Sequence, residues 1–583
     1  MKVRYFDVIF AAILYCIVAK TASCPPPCRC NQKLYTYCDN ASLTASQLSE
    51  VLLNTPTTTT YLDLSLNRIS YLPDKIFDIH PQLTNINFAK NAIGSISPKV
   101  LVPLTHLRKL FLEENKLVVI NSGVFSSLKE LEVLRLEKNK IEDIHNTSFE
   151  NLINLSELYL NDNHLFEIPS LLFSKTTSLR VLDLSDNLIE YIHDGTFKHL
   201  KNLEVLSLAR NRIRVLQHFT LGGLVSLKHL SLRENRLTVL RTLDLDPVRN
   251  NLRELDLSSN RLTAVSSNVF RNMVHLQTLN ISRNNIEFIN DSAFFGLSLD
   301  KLSLNGNKLT QLWRSSFRGV QRIAYLDFSS NEILRIETGT FDSFNEFIFV
   351  LNLSKNKLTK LQYGMVRDMR YLHVLNLAQN QIDQVVNTAM KDLINLQDLD
   401  ISENEFTVIN AKDFVGPLNS LKRFSLQCNT LTRFESFNFI SAVHVSMNLT
   451  LSNVQSRSVT VSWPYTNGHQ KYWSMTVKCV DSNACTYDSQ PEYLPAYVDS
   501  HVISKLLPLS RYYVCINPEF VQKNVHVEQC LFIMTSEDVV TPTRPPPVVV
   551  NSLATSGGYS LRTRLCAIFS LILFIVLRVL VLI

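Results

Sequence analysis

Sixteen asparagines constrain this chain more than any other feature. They fall at 67, 91, 115, 139, 163, 187, 211, 235, 260, 284, 307, 331, 356, 380, 404 and 429. The spacing is about 24 residues, a period that marks stacked structural units. Each closes the pattern L-x-x-L-x-L-x-x-N, with other apolar residues replacing leucine in places. In Leu131–Leu155, LEVLRLEKNKIEDIHNTSFENLINL, the asparagine is Asn139, and the pattern runs on to F-x-x-L-x-x-L.

The L-x-L portion predicts a short strand whose alternate side chains, such as Leu134 and Leu136, point inward. Asn139 stands where the chain turns. Buried there, its amide can satisfy backbone groups of neighbouring coils. A second apolar anchor lies later in each coil. It is Phe77, Phe125, Phe149, Phe173, Phe197, Phe270, Phe294, Phe317, Phe341, Phe414 or Phe439 in eleven coils, and Leu101, Leu221, Leu245, Val366 or Met390 in the other five. No coil can bury its apolar side alone, so the coils must stack into a solenoid with a parallel sheet on one face.

A repeat of this length with the F-x-x-L half resembles the "typical" class of leucine-rich repeats, found in Toll-like receptors, Slit-type guidance proteins and neuronal adhesion receptors. The resemblance covers residues 24 to about 440 and is specific for fold; the scaffold hosts many ligands. The expected fold is an α/β leucine-rich-repeat solenoid, a horseshoe with its parallel sheet on the concave face. An all-β, fibronectin type III-like sandwich follows it. The boundaries are a signal peptide at 1–23, an N-terminal cysteine cap at 24–56, sixteen repeats at 57–440, the sandwich at 445–536, a Pro/Thr/Val stalk at 537–556, and a hydrophobic tail at 557–583.

The leader carries Lys2 and Arg4, an apolar run from Val8 to Ala19, and Thr21-Ala22-Ser23 before Cys24. The run is too short to span a bilayer comfortably, so it reads as a cleaved secretory signal. Cys24, Cys28, Cys30 and Cys38 follow, and secretion favours disulfides over zinc. Spacing leaves three connectivities open. The cluster resembles the N-terminal cap of extracellular leucine-rich-repeat proteins, and that resemblance implies Cys24–Cys30 and Cys28–Cys38. No C-terminal cysteine cap follows the last coil; the run Phe434, Phe437, Phe439 and Ile440 is expected to close the stack.

From about 445 the pattern changes to short alternating strands, Ser458–Trp463, Trp473–Val480, Val498–Leu506, Ser510–Ile516 and Glu528–Thr535, which predict a sandwich. The segment LLPLSRYYVCI resembles the tyrosine-corner strand of a fibronectin type III domain, with Tyr512, Val514 and Ile516 facing the core. Cys515 then faces outward toward Cys530, and Cys479 and Cys485 close a small loop. Nine of the eleven cysteines belong to the mature chain, and Cys428 is the odd one. It has two readings: a buried small hydrophobe, or an intermolecular disulfide making a homodimer.

The tail from Leu565 to Ile583 also has two readings. As a transmembrane helix it would bury Arg578 and place Arg562 and Arg564 outside, against the positive-inside trend. A glycosylphosphatidylinositol-anchor signal requires small residues, a polar spacer and an apolar end. Ala554, Ser556 and Gly557, then YSLRTR, then the tail supply all three, so the lipid anchor is the favoured expectation.

The formal net charge is +6. With the charges of residues 1–23 and of the tail set aside, +1 remains, which gives no argument for nucleic acid. No metal-ligand spacing, phosphate loop or nucleophile motif stands apart from the repeat; neither an enzyme nor a cofactor is expected. Function is expected in surface recognition.

The outward strand residue between the two inward positions reads Asp63, Asn87, Phe111, Arg135, Tyr159, Asp183, Ser207, Ser231, Asp256, Asn280, Ser303, Asp327, Asn352, Asn376, Asp400, Ser425. Phe111, Arg135 and Tyr159 break a run of short polar residues in consecutive coils, and such residues dominate protein interfaces. Arg108, Lys109, Glu113, Glu137 and Lys138 would form a charged rim. Glycosylation signals stand at Asn40, Asn146, Asn154, Asn280, Asn290, Asn352 and Asn448. Glycans at Asn280 or Asn352 would crowd the same face, leaving the N-terminal half to a ligand.

The architecture resembles the fibronectin–leucine-rich transmembrane proteins, with a tether similar to that of insect connectin and chaoptin. This implies a cell-surface adhesion or recognition receptor whose partners are extracellular or cell-surface proteins. The repeats equally resemble Toll-like receptors, which implies the alternative of an innate-immune co-receptor working through a transmembrane partner.

Overall fold

The computed structural model describes residues 24–535, apart from 32–33, 363, 387, 432, 436–442, 447–449, 456–457, 464–465, 468–469, 480–490, 496–497, 505, 508–509, 521–524 and 528. The leader, stalk and tail lie outside the described residues, as do Asn448, Phe437, Phe439, Ile440 and Cys485. The described chain forms two compact units, 24–309 with 315–323, and 310–314 with 324–535.

In the first unit each coil contributes a strand to one parallel sheet, from Tyr61–Asp63 and Asn85–Asn87 to Thr278–Asn280 and Ser298–Ser303. The register never slips between Leu62, Ile86, Leu110, Leu134 and Leu158, which stand side by side. These central leucines and isoleucines are fully buried while their flanking residues face outward. The second anchors pack behind them, with ring centroids 6.1 Å apart for Phe125–Phe149 and 6.0 Å for Phe270–Phe294.

Asn139 shows what holds one coil to the next. Its Nδ2 donates to the carbonyls of Leu112 (2.9 Å) and Leu136 (3.1 Å), and its Oδ1 accepts the Leu117 N–H at 3.0 Å. Two coils are thereby bridged by one buried amide. The residue before each of the sixteen asparagines is left-handed, with φ of 59° at Leu66, 55° at Lys138 and 52° at Glu403. Only Gly306 among them is glycine. A side chain in this region costs about 1 kcal/mol, so the asparagine bonds must outweigh that cost in nearly every coil.

The N-terminal cap carries the disulfides Cys24–Cys30 and Cys28–Cys38, with Cα separations of 5.5 and 4.3 Å. Its hairpin, Arg29–Asn31 with Tyr35–Tyr37, adds to the solenoid sheet, because Tyr35–Tyr37 pairs in parallel with Tyr61–Asp63. Helix Ala45–Asn54 buries Ala45, Leu48, Val51 and Leu52 over the open end. The Gln47 side-chain carbonyl accepts the Thr44 N–H at its start (2.9 Å). Near its other end the buried His80 places Nε2 2.8 Å from the Leu52 carbonyl. The contact requires Nε2–H to donate, and Nδ1 has no partner.

In the second unit the sheet runs through Val350–Asn352, Val374–Asn376, Asp398–Asp400 and Arg423–Ser425. It then continues past the last coil. Val443–Ser446 pairs in parallel with Arg423–Ser425, and Val525–Val527 pairs with Val443–Ser446. The end of the stack is thus extended by strands contributed from further along the chain, and of the expected closing run only the Phe434 backbone is described, paired with Ile409.

The segment after the last coil forms two antiparallel sheets. One holds Thr450–Ser452, Ser458–Ser462 and Ser500–Ser504; the other holds Glu492–Pro495, Gln470–Cys479, Arg511–Phe520 and Gln529–Met534. They share a core of Val459, Val461, Trp473, Tyr512, Val514 and Ile516, among others. The Tyr512 hydroxyl accepts the Leu507 N–H at 2.8 Å.

Cys428 corrects an expectation. It is disulfide-bonded within the single chain and half-buried, so it is neither a free thiol in the core nor a link to a second molecule. It occupies the left-handed position before Asn429, at φ 56°, where side chains project away from the packed interior. Cys515 is also disulfide-bonded and lies directly opposite Cys530 in the ladder. The Cys479 side chain lies outside the described residues.

Candidate functional site on the sheet face

Phe111, Arg135 and Tyr159 are register partners on three adjacent strands. The Arg135 guanidinium carbon lies 4.9 Å from the Tyr159 ring centroid. Arg135 Nη1 also donates to Glu137 Oε1 at 3.3 Å, and the Tyr159 hydroxyl donates to Glu157 Oε2 at 3.1 Å. The result is a half-buried aromatic and guanidinium cluster, fixed in place before any partner arrives.

The aspartates and asparagines elsewhere at this position have a backbone role. The Oδ1 atoms of Asp63, Asp183 and Asp256 each accept the N–H two residues on, at 2.9 Å. Asn87, Asn280, Asp327, Asn352, Asn376 and Asp400 do the same. At the equivalent place in the third and fourth coils, Glu113 and Glu137 accept their own backbone N–H groups. Burial is the main cause that raises both carboxyls above the usual range, and each leaves Oε2 buried without a partner.

The remaining rim candidates separate. Arg108 sits ahead of its strand, paired with Glu132 (3.3 Å) and Glu130 (3.9 Å). Lys138 follows its strand and pairs with Glu114 at 3.4 Å. Lys109 is exposed on the same face as Phe111.

Each strand has a second outward position two residues earlier, of which the sequence pattern singles out only Lys109. Residues two apart share a face, so Glu157 belongs with Tyr159. The same alternation brings Tyr35, Tyr37 and Tyr61 onto this face, with ring centroids 6.0 Å (Tyr35–Tyr61) and 5.6 Å (Tyr37–Tyr61) apart. Burial, then Asp63, pushes the Tyr61 hydroxyl up to about 12. The Y-T-Y alternation of the cap hairpin was the available signal. Tyr35 to Tyr159 spans six strands, roughly 24 Å at ordinary strand spacing.

Of the glycosylation signals, Asn40, Asn146, Asn154 and Asn290 are exposed, whereas Asn280 and Asn352 are half-buried on strands. Among the described residues no helix is long and apolar enough to cross a membrane.

The leucine rich repeat family model matches residues 57–117, 105–165, 153–213, 177–237, 250–309, 298–346 and 349–406. No curated protein is matched in sequence. Among solved structures, a glycosylated Toll–Spatzle complex from Drosophila aligns with TM-score 0.59 and 22% identity, over 67% of this chain and 54% of the other. A second Toll–Spatzle structure aligns with TM-score 0.57 and 18% identity, over 72% of this chain and 62% of the other. The chain therefore spans about half to three fifths of the Toll chains, and the likeness is one of fold. With the repeat model matched over more than half of its length, the chain belongs to the leucine-rich-repeat family.

Proposed function

We propose that this protein is a cell-surface adhesion or recognition receptor that binds an extracellular protein through the N-terminal part of its solenoid sheet. One observation carries the reading: Phe111, Arg135 and Tyr159 stand in register on three adjacent strands, the Arg135 guanidinium over the Tyr159 ring, on a face whose other equivalent positions hold short polar residues. Aromatic and arginine side chains held rigidly make efficient interface anchors. The segment after the solenoid is read as a fibronectin type III-like domain, the tail as a lipid anchor, and the ligand as a protein on a neighbouring cell.

Cells displaying the full chain, or its Phe111→Ala/Tyr159→Ala double variant at equal surface level, test this in an aggregation assay. Loss of aggregation in the variant supports the reading; unchanged aggregation sinks it. Release of the protein by phosphatidylinositol-specific phospholipase C tests the anchor. The second reading, an innate-immune co-receptor, draws on the fold shared with Toll, whose complex with Spatzle is described as a hub of development and innate immunity. Failure of wild-type cells to aggregate, with binding of microbial glycolipids, would favour it.

A further inference from the structure

The first unit has a groove of about 550 Å³ away from the aromatic cluster. It runs along the residues that precede the strands of the sixth to tenth coils, and all nine of its lining residues are polar or charged. Arg180, Lys228 and Arg253 supply its cations, Glu204 its one carboxylate, and Asn251 and His275 line its far end.

The charges are not arranged as a neutral ladder. At this position in the third and fourth coils opposite signs meet, Arg108 pairing with Glu132, and one residue further on, at the start of the strands of the last two coils, Arg423 likewise meets Asp398. In the groove Glu204 is shared, 2.7 Å from Arg180 Nη2 and 2.6 Å from Lys228 Nζ. Those contacts, with Lys228 the larger cause, hold its carboxyl below the usual range. Arg253 follows Lys228 on the next coil, its N–H donating to the Lys228 carbonyl, and has no ion-pair partner among the described residues. Lys228 and Arg253 stand on adjacent coils, about 5 Å apart in backbone spacing, and the groove's one carboxylate pairs with two of its three cations.

We propose that this groove binds a linear anionic polysaccharide, its sulfate or carboxylate groups meeting Arg180, Lys228 and Arg253. The lining chooses among polyanions. A single-stranded nucleic acid calls for aromatic platforms on which bases stack, and no aromatic carbocycle lines the groove. An acidic peptide would need apolar pockets for its alternate side chains, and none is present in the lining. Hydroxyl, amide and cationic groups in a row suit a sugar chain. Glu204 holds Arg180 and Lys228 in position and limits the net charge.

The test uses the full secreted chain and a size-fractionated heparin oligosaccharide, with desulfated heparin, poly-glutamate and single-stranded DNA as comparisons. Binding is expected to weaken as salt rises, and to fall at least about tenfold in R180A/K228A/R253A. E204Q is expected to bind as tightly as wild type or more tightly, which a folding defect would not produce. Desulfated heparin reports whether sulfate or carboxylate is the group recognised; tighter binding of either heparin than of the other two polyanions supports the assignment. Unchanged binding in the triple variant, a loss in E204Q equal to that of the triple variant, or equal or tighter binding of poly-glutamate or DNA overturns it.

Discussion

Arg135 lies over the ring of Tyr159 and at the same time bonds Glu137, so its guanidinium is held from two directions. A lysine could keep the charge but neither the planar stack nor the fork of donors. Arg135→Lys is therefore expected to weaken partner binding by about 1 kcal/mol or more, with secretion unchanged. Titration of the partner against the two forms, read by surface plasmon resonance, checks this; equal affinities would remove Arg135 from the anchor set.

Asn139 joins two coils through Nδ2 and Oδ1. Asn139→Ala leaves the Leu112 and Leu136 carbonyls and the Leu117 N–H without that partner in a buried place. The expected loss is at least about 2 kcal/mol. Hydrogen exchange should show it concentrated in the third to fifth coils, since each coil contacts chiefly its neighbours. An unaltered exchange pattern would contradict the bridging role.

His80 is buried and neutral, and desolvation lowers its pKa from the ordinary value despite the bond to Leu52. The unfolded chain therefore takes up that proton first, near pH 6.5. The stability His80 contributes is whole above that pH and is lost as pH falls toward the lower folded value. The melting temperature of wild type should exceed that of His80→Gln at neutral pH, and the gap should narrow on acidification below about 6. A gap constant with pH would show that the imidazole is not the titrating group.

Residues at the left-handed position should accept glycine. Ser259 has φ 55°, and Ser259→Gly is expected to be neutral or stabilising by up to about 1 kcal/mol. Chemical denaturation measures it; a clear destabilisation would mean that the side chain contributes more than its backbone strain.

The sequence made the solenoid legible because each of its determinants is local and repeated. Asn139, Leu134 and Phe149 could each be assigned from spacing, and they are buried where the period places them. The Phe111, Arg135 and Tyr159 row was legible for the same reason. Glu157 and Tyr61 were not legible because the break in the short polar run shows at one outward position per strand, and they occupy the other. The disulfide at Cys428 was missed for a different reason. Its chemistry depends on a contact distant in sequence, and counting cysteines cannot show which one is brought near. Nor could the pattern show that Val525–Val527 would extend the sheet, since no repeat marks that strand.

That late strand has a consequence for biosynthesis. Coils emerging from the ribosome can zip onto those already made, but the final edge must wait for roughly another eighty residues of translation before Val525–Val527 can dock against Val443–Ser446. During that interval the newest coils are the ones a chaperone would find, and a message truncated between the two segments would leave them permanently unfinished.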